Sequence, residues 1–138
     1  MTNIALATHL DRFVRRLHVQ LTERATQFDP DKVGPGGAIL LLTLSDMGTA
    51  PFSAVAARLI RDKSQLTREV ASLERKGMIA RAPCPDDARS QLLSLTEKGE
   101  GLVRVHKGAL AEILDEMMVN LSSADKEALT RLLLAVAP

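Results

Sequence analysis

The sequence predicts a mainly α-helical fold that carries one small β element. Apolar residues recur at helical spacing along most of the 138 positions. Period-two alternation appears in one region alone, on either side of the Pro- and Asp-rich stretch 83–89. Hydrophobic residues make up 46%, enough for a core, and with no Trp, no Tyr and three Phe that core must be aliphatic.

From Ile4 to Phe28 the residues Leu10, Phe13, Val14, Leu17 and Leu21 form one stripe, with Asp11, Arg12, Arg15, Arg16 and Glu23 on other faces. Pro30 ends this helix, because the residue before a proline is disfavoured in the helical region. Its apolar stripe needs a cover, either the chain itself or a second subunit. Gly34-Pro35-Gly36-Gly37 then leads into Ala38–Leu44, apolar all round and therefore interior. Gly48, standing where a C-terminal glycine would, favours a helix there over a strand. The glycines at its start leave that boundary loose.

Thr49 to Phe52 reads as an extended connector, with Ser53 capping a short helix that buries Val55, Ala56 and Leu59 and turns Arg58 outward. Ile60-Arg61-Asp62 is a turn, and Asp62 is the expected N-cap of the next helix, Lys63 to Lys76. There Leu66, Val70 and Leu73 make a narrow seam, while Ser64, Gln65, Thr67, Arg68, Ala71, Ser72 and Arg75 occupy the other side. Two short helices joined by a tight turn, with the polar face on the second, describe a helix-turn-helix. After Gly77, Met78–Arg81 and Gln91–Leu95 read as the strands of a hairpin whose tip holds Arg89: a wing. Thr96 caps a long helix from Glu97 to about Asn120, with Leu102, Val105, Ala109, Leu110, Ile113, Leu114, Met117 and Leu121 as its apolar face. Ser122 and Asp125 form a capping arrangement for a last helix lined by Leu129, Leu132, Leu133 and Val136.

The outer face of the 63–76 helix suits a DNA major groove. Small side chains permit close approach, hydroxyls and amides bond base edges, and Arg pairs bidentately with guanine. Taken alone, the same face also describes an ordinary solvated helix, and the flanking elements decide. The wing supplies Arg89 for a minor groove or phosphates. Arg58, Arg61 and Lys63 are candidate backbone contacts. A winged-helix module that binds protein and not DNA is the competing function, but such a face would carry exposed Leu, Met or aromatic residues.

Asp87-Ala88-Arg89-Ser90-Gln91-Leu92-Leu93-Ser94-Leu95-Thr96-Glu97-Lys98-Gly99 resembles the wing of the MarR (multiple antibiotic resistance regulator) family, Asp-x-Arg, alternating aliphatics, then Leu-Thr-x-x-Gly. Leu73–Ile79 is similar to that family's helix-to-wing junction. The resemblance implies a winged helix-turn-helix over residues 31–99 and a helical dimerisation region in 1–30 and 100–138, interlocked in a homodimer. It implies a sequence-specific transcriptional regulator of the repressor type on a pseudo-palindromic double-stranded operator; release by a small-molecule effector and regulation without one both stay open, and the lone cysteine makes the cytoplasm the expected compartment. By motif position Ser64, Gln65, Thr67, Arg68 and Arg75 would face the major groove and Arg89 the minor groove. The chain departs where the family often has Gly in the helix-turn-helix turn; Ile60 stands there, so a different turn backbone is expected.

Other chemistries find little support. The net charge of +1 does not announce a polyanion partner, but it says little once cations gather on one face. Scarce aromatics argue against single-strand binding by stacking. Cys84 is the sole cysteine, so no internal disulfide forms, and a reducing compartment is expected. It lies beside Arg81 and Arg89, which admits an oxidant-sensing thiol; an incidental loop cysteine is the blander reading. His9, His18 and His106 have no metal-clamp spacing and read as solvated. No metal, cofactor or catalytic residue is expected: Asp86 and Asp87 sit in a turn, and neither a nucleophile–base pair nor a phosphate loop is present. No apolar run is long enough to span a bilayer.

Overall fold

The structure is a computed structural model that describes all residues from Met1 to Pro138. In chain order the elements are α1 (Ile4–Phe28), α2 (Gly34–Met47), β1 (Ala50–Pro51), α3 (Phe52–Leu59), α4 (Lys63–Arg75), β2 (Ile79–Cys84), β3 (Asp87–Leu95), α5 (Glu97–Met117) and α6 (Ser123–Val136). The strands form one antiparallel sheet in the order β1-β3-β2, with Ala50 opposite Leu93 and Ile79 opposite Leu95. No helix is long and apolar enough to cross a membrane.

A single aliphatic core ties the middle of the chain together. Leu40, Leu41 and Leu44 of α2 meet Val55 of α3, Leu66, Val70 and Leu73 of α4, and Leu93 of β3. Each such side chain, fully buried, contributes about 1.5–3 kcal/mol of transfer free energy. α2 is a helix, as Gly48 implied, and that glycine closes it at φ 73°. Its start is held from outside: the Asp29 carboxylate accepts the N–H groups of Val33 and Gly34 at 2.8 and 2.9 Å.

Several details depart from the sequence reading. Ser53 does not cap α3; the helix begins two residues earlier than such a cap would set, behind Pro51, whose fixed φ prepares the turn. The wing strands are longer than the alternation indicated, so Arg89 lies inside β3 and not at the tip. On α5 Val105, expected on the apolar face, is exposed, and Val103 is buried instead. Ile60 does not reshape the turn. It adopts φ 52° and ψ 46°, the left-handed geometry usually left to glycine, with its side chain 92% exposed.

The junction behind α4 is built by backbone contacts. Gly77 reverses the chain at φ 76°. Thr96 caps α5 by accepting the Gly99 N–H at 3.1 Å, and its own hydroxyl donates to the Gly77 carbonyl at 2.5 Å. A side chain on Gly99 would collide with the Met78 carbonyl oxygen, which is why the Leu-Thr-x-x-Gly pattern ends in glycine. At the far ends, Leu10 and Val14 of α1 and Leu132, Leu133 and Val136 of α6 stay exposed on the isolated chain.

Candidate nucleic-acid interface

α4 is fixed as a platform before any partner arrives. Asp62 caps it, its carboxylate accepting the Gln65 N–H at 2.8 Å. Leu66, Val70 and Leu73 are buried, and that seam sets which side faces out. Ser64, Gln65, Thr67, Arg68 and Arg75 are all exposed. The Thr67 hydroxyl donates to the Lys63 carbonyl at 2.6 Å, so toward a base it offers lone pairs and a methyl group. Arg58, Lys63, Arg68, Arg75 and Arg89 are exposed and take part in none of the chain's ion pairs.

Arg61 is different, and its expected role as a phosphate contact gives way. Its guanidinium pairs with Glu69 of α4 and reaches the Gly36 carbonyl at 3.4 Å. The two side chains are only 15% and 24% exposed. The second acid of α4, Glu74, pairs with Arg81 of β2 at 3.1 Å. Both acids are thus neutralised from within, and neither opposes a polyanion with a free charge.

The wing presents Arg89 on a bulge. Cys84 pairs with Asp87 and Pro83 with Gln91, which leaves Ala88, Arg89 and Ser90 out of register. Asp87 holds that bulge by accepting the Arg89 N–H at 2.9 Å, so it positions the backbone and leaves the guanidinium free. Cys84 is half-buried, and Arg81 is drawn away from it by Glu74 and by Gln91 at 3.1 Å. Of the two cations expected to flank the thiol, one is therefore engaged elsewhere.

Spacing along the chain hid a second site. A cavity of about 240 Å³ opens where α1, α2 and α5 meet, lined among others by His18, Phe28, Asp29, Ile39 and His106. His18 and His106, far apart in sequence, share its wall. His106 is half-buried and stands edge-on to Phe28 with ring centroids 5.5 Å apart, so it is not the solvated residue expected. Burial lowers its pKa from the ordinary 6.5, partly opposed by the charge of Asp29. The sequence signal was weak: His18 and Phe28 lie ten residues apart on α1, and His106 is far away on α5.

The fold and much of the sequence have counterparts in known proteins. A model of the MarR family matches residues 39–91, the segment from α2 into the wing. The chain is 33% identical over 124 residues to the HTH-type transcriptional regulator MT0903.1 of Mycobacterium tuberculosis, covering 90% of this chain and 85% of that one. Over 125 residues it is 29% identical to the uncharacterized HTH-type transcriptional regulator YxaD of Bacillus subtilis, with coverage of 90% and 85%. Among solved folds, wild-type MarR of E. coli superposes with a TM-score of 0.76 at 22% identity, covering 100% of this chain and 99% of that one. The PcaV transcriptional regulator of Streptomyces coelicolor, solved in complex with its natural ligand, gives 0.65 at 23% identity, with coverage of 99% and 97%.

Proposed function

This chain belongs to the MarR family of transcriptional regulators, and we propose that it works in the cytoplasm as a homodimeric repressor on a pseudo-palindromic operator. The observation that carries this reading is the outer row of α4. Ser64, Gln65, Thr67, Arg68 and Arg75 are exposed on a helix whose opposite seam is locked into the core, and both acids of that helix are neutralised. Arg68 and Arg75, with Ser64, Gln65 and Thr67, read bases or phosphates in the major groove. Arg89 enters the adjacent minor groove from its bulge, and Arg58 and Lys63 hold phosphates.

Residues 31–99 serve as the DNA-binding unit, and 1–30 with 100–138 as the dimerisation region. Exposed Leu10 and Val14 of α1 and Leu132, Leu133 and Val136 of α6 provide the apolar surface that a second subunit would cover. Pairing there sets the two α4 helices about 34 Å apart, the spacing of successive major grooves on one DNA face. A small effector in the cavity between α1, α2 and α5 would alter that spacing through its different affinity for the two arrangements. No feature favours a protein-binding module, because the outer row of α4 has no large apolar residue.

Selection of bound DNA from a random pool tests the proposal. An enriched inverted repeat with half-sites about one helical turn apart is the expected outcome. Recovery of no sequence preference would remove the operator from the account.

A further inference from the structure

The wall of the cavity among α1, α2 and α5 is mostly apolar. Leu21, Ala25, Phe28, Ile39, Leu42 and Leu102 give it carbon surface, and neither Lys nor Arg lines it. Its one carboxylate, Asp29, is already bonded through both oxygens to the Val33 and Gly34 N–H groups. The Thr22 hydroxyl donates to the His18 carbonyl at 2.9 Å. Two imidazoles are the exceptions, since no hydrogen bond within the chain engages either: that of His18, exposed at the cavity's edge, and that of His106, half-buried in its wall.

Taking this cavity as the effector site, we propose that it accepts a small uncharged molecule, with an apolar body against these walls and a single hydroxyl bonded to His106. A carboxylate of the same shape would lose its water with no cation to meet it, beside the fixed negative charge of Asp29. An ammonium would lose its water as well, while the oxygens of Asp29 are already engaged by backbone. His106 adds no positive charge near neutral pH, because burial favours its neutral form. In that form the ring offers one donor and one acceptor, which a hydroxyl can answer from either side. The ring of Phe28 gives an aromatic body a face or edge to rest on.

The test uses the full-length protein at pH 7.5 with 1-naphthol and 1-naphthoate, which share one ring system and differ in charge. Because the chain has no Trp and no Tyr, naphthol fluorescence is read without protein background. Naphthol should bind at least about tenfold more tightly than naphthoate. Filling the cavity with Ala38→Phe or, on the more exposed side, Ile39→Phe should abolish binding without lowering the melting temperature. His106→Phe should weaken naphthol and leave naphthoate weak. Equal or tighter binding of naphthoate, no binding of naphthol, or naphthol binding that survives both filling variants would overturn the proposal. DNA selection by the ligand-free protein separates this from the regulatory reading. Selected DNA without a naphthol preference defeats only the ligand class. A naphthol preference with no selected DNA, or with DNA affinity unchanged by naphthol, defeats only the regulatory role.

Discussion

Arg61 and Glu69 form an ion pair between the helix-turn-helix turn and the recognition helix α4, and Arg61 continues to the Gly36 carbonyl at the start of α2. The pair is mostly shielded from water, so its two charges depend on each other. Arg61→Ala leaves the Glu69 carboxylate partly buried with only the Gln65 amide, at 3.4 Å, and no cation to meet it, and should lower unfolding stability by about 1–3 kcal/mol. It should leave the salt dependence of DNA binding unchanged. Exposed Arg58→Ala should do the reverse, with little loss of stability and a salt slope flatter by about one unit. Denaturant unfolding and a salt titration of both variants check the assignment.

Ile60 holds a left-handed backbone with a β-branched, solvent-exposed side chain. That conformation costs an L residue about 1–2 kcal/mol, and glycine returns about 0.5–1 of it as lost chain freedom. Ile60→Gly should therefore stabilise the protein by about 0.5–1 kcal/mol, read as a rise in melting temperature. A lower melting temperature would mean that the Ile60 side chain has a contact in the assembled protein.

Gly99 is the opposite case, a glycine required by space. Any β-carbon there runs into the Met78 carbonyl oxygen, which also accepts the Thr96 N–H at 3.1 Å. Gly99→Ala must push α5 away from the wing, at a cost of about 1–3 kcal/mol. Gly108, with open space around it, is the control, and Gly108→Ala should be neutral or mildly stabilising.

His106 makes stability depend on pH. Its folded pKa lies below the ordinary 6.5, so the unfolded chain binds a proton at a pH where the folded chain does not. The stability it permits is complete above 6.5 and falls as pH drops toward the folded pKa, below which it levels off. In melting curves from pH 8 to pH 5, His106→Phe should lose part of the acid-side decline seen in the parent. An unchanged decline would place its cause in other groups.

How far the fold could be read follows from which forces act locally. α1 and α4 were legible because one periodic stripe and one break or cap fixed each, Pro30 ending α1 and Asp62 starting α4. The cap of α3 was misread because Pro51 supplies geometry where Ser53 had only chemistry to recommend it. The place of Arg89 on a bulge came from a register slip that alternation does not report. Ile60 keeps the left-handed turn usually left to glycine, contrary to the different backbone expected of it, because core packing on both sides outweighs about 1–2 kcal/mol of local strain. Of the candidate DNA contacts, Arg61 alone is withdrawn into the protein, since the pairing of a turn cation with an acid 8 residues on, inside α4, leaves no mark in the sequence. The cavity was invisible for the same reason, being assembled from three helices.

The central claim, that α4 and the wing together read DNA, rests most directly on Arg68 and Arg89. The measurement is the affinity of Arg68→Ala, Arg89→Ala and the double variant for the selected inverted repeat, against DNA of scrambled sequence. Arg68→Ala should cost about 1–3 kcal/mol on the repeat and relax preference at one position in each half-site. The double variant should lose more and approach the affinity for scrambled DNA. Unchanged affinity of the double variant for the repeat would contradict the docking of this helix and this wing.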